Sequence, residues 1–169
     1  MAKTSTEMVE EYNGLIPFVA SICGLEDQYW DTPIAVGKWT VKDMLCHIML
    51  WDKYFYEEAI EKIKLGEPLT VKHQDFNPFN AQAIRYAKSR TKLEIYDQFV
   101  EYRTKIIRAI SGLQEEEYLR DYVDGDGKRF SIRSYLRGFI PHDKKHKQQI
   151  QSFYQSNGWS QAEYLNGGI

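Results

Sequence analysis

The sequence predicts an all-α protein, an antiparallel four-helix bundle with a short hairpin before its last long helix. Three observations carry this. Four long stretches repeat apolar residues every three or four positions, the period of a helix with one buried face. Strand-like alternation is confined to one short piece, RDYVDGDGKRF. The chain has 169 residues, 43% hydrophobic and 27% charged, which fits one folded domain over residues 1–169 with a sizeable core.

The first helix is expected to be capped by Ser5 or Thr6, with Met8, Tyr12, Leu15, Val19 and Ile22 facing inward. Pro17 should kink it or split off its last turns, and Gly24 should stop it. An aromatic-rich loop follows, LEDQYWDTPIAVGKW. Thr40 to Asp43 then reads as a capping box with Asp in the closing position. It opens a second helix whose stripe is Val41, Met44, Leu45, Ile48, Trp51, Phe55, Ala59 and Ile63. His47 falls at the edge of that stripe, where a residue can face a neighbouring helix. Cys46 points to the other side and is discounted as a ligand. Asp52 lies inside the apolar arc, where its carboxylate needs a partner. An arginine or a ligand histidine would serve, and the structural reading is preferred.

Gly66 and Pro68 end the second helix, and a loop over residues 65–77 carries His73 outside any periodic pattern. Asn77 and Pro78 look like an N-cap and first residue of a third helical region reaching Ile110. Its first part, from Gln82 to Arg90, is weakly amphipathic and can be a separate helix. The later stripe is Leu93, Tyr96, Val100, Arg103, Ile106 and Ile110. Gly112 stops it, Gln114 to Tyr118 can add a turn, and Asp124-Gly-Asp126-Gly forms the hairpin turn. This turn lacks the third acid and closing Glu of a calcium loop. Ser131 caps the fourth helix, which ends near Asn157-Gly158, and Pro141 should bend it. The tail WSQAEYLNGGI adds at most a short capped turn.

The fourth helix carries the functional signal. Its special face runs Ile132, Tyr135, Phe139, His142, His146, Ile150 and Phe153, so two histidines sit one turn apart within an apolar stripe. Imidazoles at i and i+4 can grip one metal ion, and two ligands alone do not make a site. A pair of core histidines bonded to other side chains fits the same pattern. His47 on a facing helix is a geometrically reasonable third ligand, because bundles place such sites between helices.

Bulk properties narrow the function. A net charge of −2 and a pI near 6.1 give no electrostatic footprint for nucleic acid. No run of about 18 apolar residues is present to span a membrane, and no secretory leader pattern opens the sequence. The two cysteines, Cys23 and Cys46, have no disulfide or zinc-knuckle spacing. A cytoplasmic location is the expectation. Twelve Tyr, eight Phe and four Trp suffice to line a pocket as well as fill a core.

The stretch from Gly37 through Trp39 and His47 to Trp51-Asp52 resembles the tryptophan-led second helix of the DinB-like (damage-inducible, YfiT-like) superfamily. Phe76-Asn77-Pro-Phe-Asn80-Ala-Gln82 is similar to that family's loop into helix three. His142-Asp-Lys-Lys-His146-Lys147-Gln148-Gln149-Ile150 resembles its closing motif, His-x3-His-Arg-Gly-Gln-Ile/Leu. The likeness spans residues 5 to 155. It departs at Lys147, where arginine is usual, and at Gln148, where glycine is frequent, which puts close packing there in question.

The resemblance implies a four-helix bundle holding a divalent metal (zinc or nickel, with iron or manganese as further options) on His47, His142 and His146, often as a homodimer. A related branch, the colibactin self-protection proteins, shares the fold and can lack the histidines. Asp52 and Gln149 are then candidates to orient the ligands, and Trp51, Trp39 and Tyr135 to line the pocket. The family name does not imply action on DNA. The expected function is a metal-dependent enzyme, either a hydrolase or a transferase joining a small thiol such as bacillithiol or glutathione to a small electrophilic substrate. The alternative is a non-catalytic ligand-binding or self-protection protein, or a dimeric interaction module on the same bundle. Haem is disfavoured, because no C-x-x-C-H motif is present and adjacent-turn histidines cannot bind opposite haem faces.

Overall fold

The computed structural model describes residues 1–158, so the expected turn in the tail lies outside the described residues. Helix α1 (Ser5–Asn13) starts one residue earlier than expected. Thr4 is its cap, in a reciprocal box with Glu7, and Ser5 is buried instead. The break to α2 (Leu15–Cys23) falls at Gly14 rather than at Pro17. Pro17 sits in the first turn of α2, where its missing N–H removes no helical bond. Met8, Tyr12, Leu15, Val19 and Ile22 are all buried, as their spacing predicts.

A short helix α3 (Asp27–Asp31) turns Trp30 fully inward, its indole N–H donating to the Ile22 carbonyl at 2.9 Å. Helix α4 (Val41–Phe55) opens on the expected box between Thr40 and Asp43. It runs into a π-helical turn at Tyr56–Ile60 and then α5 (Glu61–Leu65), closed by Gly66 at φ 70°. That left-handed geometry is one that glycine adopts without steric cost. The π turn is not visible in the apolar spacing. The Glu58 carbonyl within it accepts from the amides of Thr70 and Val71, both at 3.0 Å, and so ties down the following loop.

The third region divides into α6 (Phe76–Lys88) and α7 (Lys92–Ile110). Asp75, not Asn77, caps α6, its carboxylate accepting from the Asn77 amide at 3.1 Å. In α7 the buried line is Ile95, Phe99, Arg103, Ile106 and Ile110, whereas Leu93 is exposed. Two apolar lines run side by side along the first half of this helix. Its own sequence does not say which one meets α4.

After α8 (Glu115–Leu119), β1 (Tyr122–Val123) pairs antiparallel with β2 (Arg129–Phe130), Tyr122 opposite Phe130. The Asp124 carboxylate accepts from the amides of Asp126 and Lys128, the role of a turn residue rather than a calcium ligand. The hairpin docks through the Gly125 amide on the Val71 carbonyl at 2.7 Å. Helix α9 (Ile132–Ser156) is capped by Ser131 and stays helical through Pro141. Helix α4 lies centrally, packed on α7, α6 and α9, while α1 packs on α9 and α2 on α7. The result is a four-helix bundle with a small hairpin before its last long helix.

Candidate metal centre

His47 sits on α4 beneath the Thr40 cap, and His142 and His146 sit one turn apart on α9. The structure brings the three together: one ring nitrogen from each lies within 4.8 Å of the others. His47 Nε2 is 2.9 Å from His142 Nε2. The ring centroids are 5.0, 5.2 and 4.7 Å apart for the pairs 47/142, 47/146 and 142/146. His73 is elsewhere. Its backbone amide donates to Asp126 at 2.6 Å, and its ring lies beside Phe76.

Burial pushes His47 down to about 3, helped by His142 and His146 beside it, and pushes His146 down to about 4 in the same way. Both are therefore neutral near pH 7, with a lone pair to offer. The Gln149 side-chain oxygen lies 2.9 Å from His146 Nδ1, which places the proton there and leaves Nε2 free. Nδ1 of His47 and Nδ1 of His142 are buried without a hydrogen-bond partner. Three imidazoles whose nitrogens converge this closely, with His47 and His146 held neutral by burial, match the donor set of a divalent metal such as zinc or nickel. Ordinary core histidines would be expected to have partners for both buried ring nitrogens.

Trp39 stacks on His146, with centroids 6.3 Å apart and planes at 15°, and lies 5.1 Å from His47. Trp51 meets His47 edge-on at 6.4 Å and is itself stacked 3.9 Å from Phe79. Phe139 approaches His142 at 5.6 Å. These rings surround the cluster with apolar surface, which strengthens any electrostatic interaction inside it. Tyr135 backs this wall rather than meeting the histidines: its ring lies 4.9 Å from Phe139, and its hydroxyl 2.6 Å from that of Tyr12.

Asp52 also points away from the histidines, to Arg103. The guanidinium of Arg103 donates to Asp52 twice, at 2.7 and 3.1 Å, to Asp143 at 2.6 Å and to the Tyr12 carbonyl at 3.1 Å. The Tyr12 hydroxyl donates to Asp52 at 3.0 Å. Arg103 is fully buried, and both carboxylates are nearly so. Burial pushes Asp52 up to about 6 against the pull of Arg103, so it is ionised at neutral pH. Asp143 is also opposed by burial, but Arg103 prevails and holds it below the usual carboxylate range. Cys46 is buried on the far side of α4, its thiol donating to the Ala83 carbonyl at 3.3 Å. Burial pushes it up to about 12, an inert state.

Sequence reasoning took Arg103 as one position of an apolar stripe, with no role of its own, and did not single out Asp143, whose place beside His142 was the available signal. It also passed over Asn80, on α6, whose amide faces His47.

The family model described as the DinB superfamily matches residues 18–150. No curated protein matches the chain. A solved structure described as YfiT from Bacillus subtilis, a probable metal-dependent hydrolase with an unusual four-helix bundle topology, is similar in fold. Its TM-score is 0.71 at 16% identity, over 91% of this chain and 87% of that one.

Proposed function

Starting from the fact that the chain belongs to the DinB superfamily, we propose that it is a metal-dependent enzyme acting on a small electrophilic molecule, with His47, His142 and His146 as its metal ligands. The observation that carries this reading is the convergence of three imidazole nitrogens within 4.8 Å inside an aromatic shell. Three nitrogen ligands with a fourth position left over are the arrangement of catalytic rather than structural zinc. A divalent ion held by His47, His142 and His146 would supply a bound water with its pKa lowered to about 7, or a site for a thiol as its thiolate.

The protein's own residues supply the rest. Burial keeps His47 and His146 neutral, so that no proton competes for their lone pairs. Gln149 fixes the tautomer and rotation of His146. Trp39 and Trp51 limit water and offer flat apolar surface to a substrate. Hydrolysis is the reaction named for the fold relative, and transfer of a low-molecular-weight thiol would use the same ligands.

The test is elemental analysis of tag-free protein purified without chelator, beside His47→Ala and His142→Ala. Near one metal per chain in the wild type and none in either variant is the expected result. Unchanged metal content in both variants would refute the ligand set.

A further inference from the structure

Of the buried polar atoms left without partners beside the cluster, two belong to neighbouring residues of α9. Nδ1 of His142 and Oδ1 of Asp143 are both buried, both lack a hydrogen-bond partner, and lie 3.7 Å apart. Buried polar atoms without partners are rare in native proteins and call for an explanation. The other Asp143 oxygen is fixed by Arg103 at 2.6 Å, and Arg103 is in turn held by both oxygens of Asp52. The carboxylate therefore cannot swing away, and its free oxygen faces the one ring nitrogen of His142 that points away from His47.

We infer that Asp143 is the positioning residue for His142, accepting its Nδ1–H so that Nε2 is aimed at the metal, and that the bond from Arg103 fixes Asp143 in that role. The inference rests on the metal-centre reading. A ligand histidine needs its second nitrogen protonated and anchored, and a carboxylate is a strong acceptor for that bond. His146 has Gln149 for this purpose. His142 has no acceptor of that kind apart from Asp143 among the described residues. A movement of a few tenths of an ångström to about 1 Å closes the gap to hydrogen-bond distance. The arrangement couples the metal site to a charge pair that reaches three other helices through Tyr12, Asp52 and Arg103.

The experiment measures zinc affinity by competition with a chromophoric chelator for the wild type, Asp143→Asn and Asp52→Asn, with circular dichroism to check the fold. Long-range 15N NMR of the zinc-loaded wild type reads the His142 tautomer directly. The expected result is a loss of about 10- to 100-fold in affinity for Asp143→Asn, wild-type affinity for Asp52→Asn, and a protonated, hydrogen-bonded Nδ1 on His142. Equal affinity in wild type and Asp143→Asn overturns the positioning role and leaves the metal centre standing. Equal losses in the two variants also overturn it, because the effect would then come from disturbing the ion network. If Asp143→Asn does not fold, the spectrum decides, and an unprotonated Nδ1 on His142 refutes the inference. A wild type that binds no zinc brings down the metal centre and this inference together.

Discussion

Replacing Arg103 with Met should be among the most damaging single changes in the core. The side chain is fully buried and donates four hydrogen bonds, three of them to the carboxylates of Asp52 and Asp143. Met fills much of the same volume, so cavity formation contributes little. What remains is two buried carboxylates with no cation. Removing one partner of a buried ion pair costs about 3–5 kcal/mol, a large share of the roughly 5–15 kcal/mol that stabilises a typical domain. Urea unfolding at pH 8 should show this loss. The sign of its pH dependence is fixed. In the variant both acids have raised folded pKa values, so their penalty grows with pH above the unfolded value of about 4 and shrinks as pH falls toward 5. Adding Asp52→Asn to Arg103→Met should recover part of the loss. A cost under about 1 kcal/mol at pH 8, or the same cost at pH 5 and pH 8, would show that the carboxylates do not depend on Arg103.

Other outcomes follow from the site and its supports. Zinc at about a thousand times its dissociation constant should stabilise the metal-stripped protein by about 4 kcal/mol. That corresponds to a rise of about 8–16 °C in Tm for a chain of this size, and differential scanning fluorimetry should show none in His142→Ala. Without metal, stability should fall as pH drops below about 6.5, because the unfolded chain then protonates His47 and His146 while the folded one does not. Asp52, raised to about 6, takes up a proton in the folded state between about pH 6 and 4 and offsets one of the two histidines. The net slope there should be about 1.4 kcal/mol per pH unit, and a flat profile would contradict the assignment. Gly125→Ala should cost about 1–3 kcal/mol, because a Cβ would meet the Thr70 and Val71 carbonyls at 2.8 and 2.9 Å; a wild-type midpoint in urea would mean the hairpin is not docked on that loop. Trp51→Ala, which removes the ring stacked on Phe79, should cost about 3–5 kcal/mol in the same assay.

The helical pattern and the histidine cluster were legible because each leaves a local mark. A stripe at three-and-four spacing located α1, α2, α4 and α9, and the i, i+4 pair on α9 with His47 on α4 gave the three residues that the structure gathers. What was missed depends on partners distant in the chain. Asp52 was expected to need a partner, with an arginine preferred over a ligand histidine, but nothing local says that the arginine is Arg103, 51 residues away, which takes both its oxygens. Tyr135 lies on the face that carries His142, yet its hydroxyl reaches Tyr12, 123 residues away, rather than the site. The buried line of α7 was off by a residue over its first half, because Ile95 and Phe99 run beside an equally apolar Tyr96 and Val100. Capping errors at Thr4 and Asp75 arose where several cap-forming residues are adjacent.

The π turn at Tyr56–Ile60 has a consequence for how this chain can tolerate change in length. Such a turn is one extra residue accommodated within a helix, so deleting any single residue there could be absorbed by reverting to a regular α-helix. The helix would survive, but the Glu58 carbonyl, bonded to Thr70 and Val71, would be drawn back into the helical ladder. The loop that carries Val71 would lose that anchor, and with it the hairpin held by Gly125 and the Ser131 cap that starts α9. A one-residue gap in this partly buried turn would thus propagate to the helix bearing two of the three histidines. Variation in chain length among relatives should accordingly avoid this turn and collect in the loops instead.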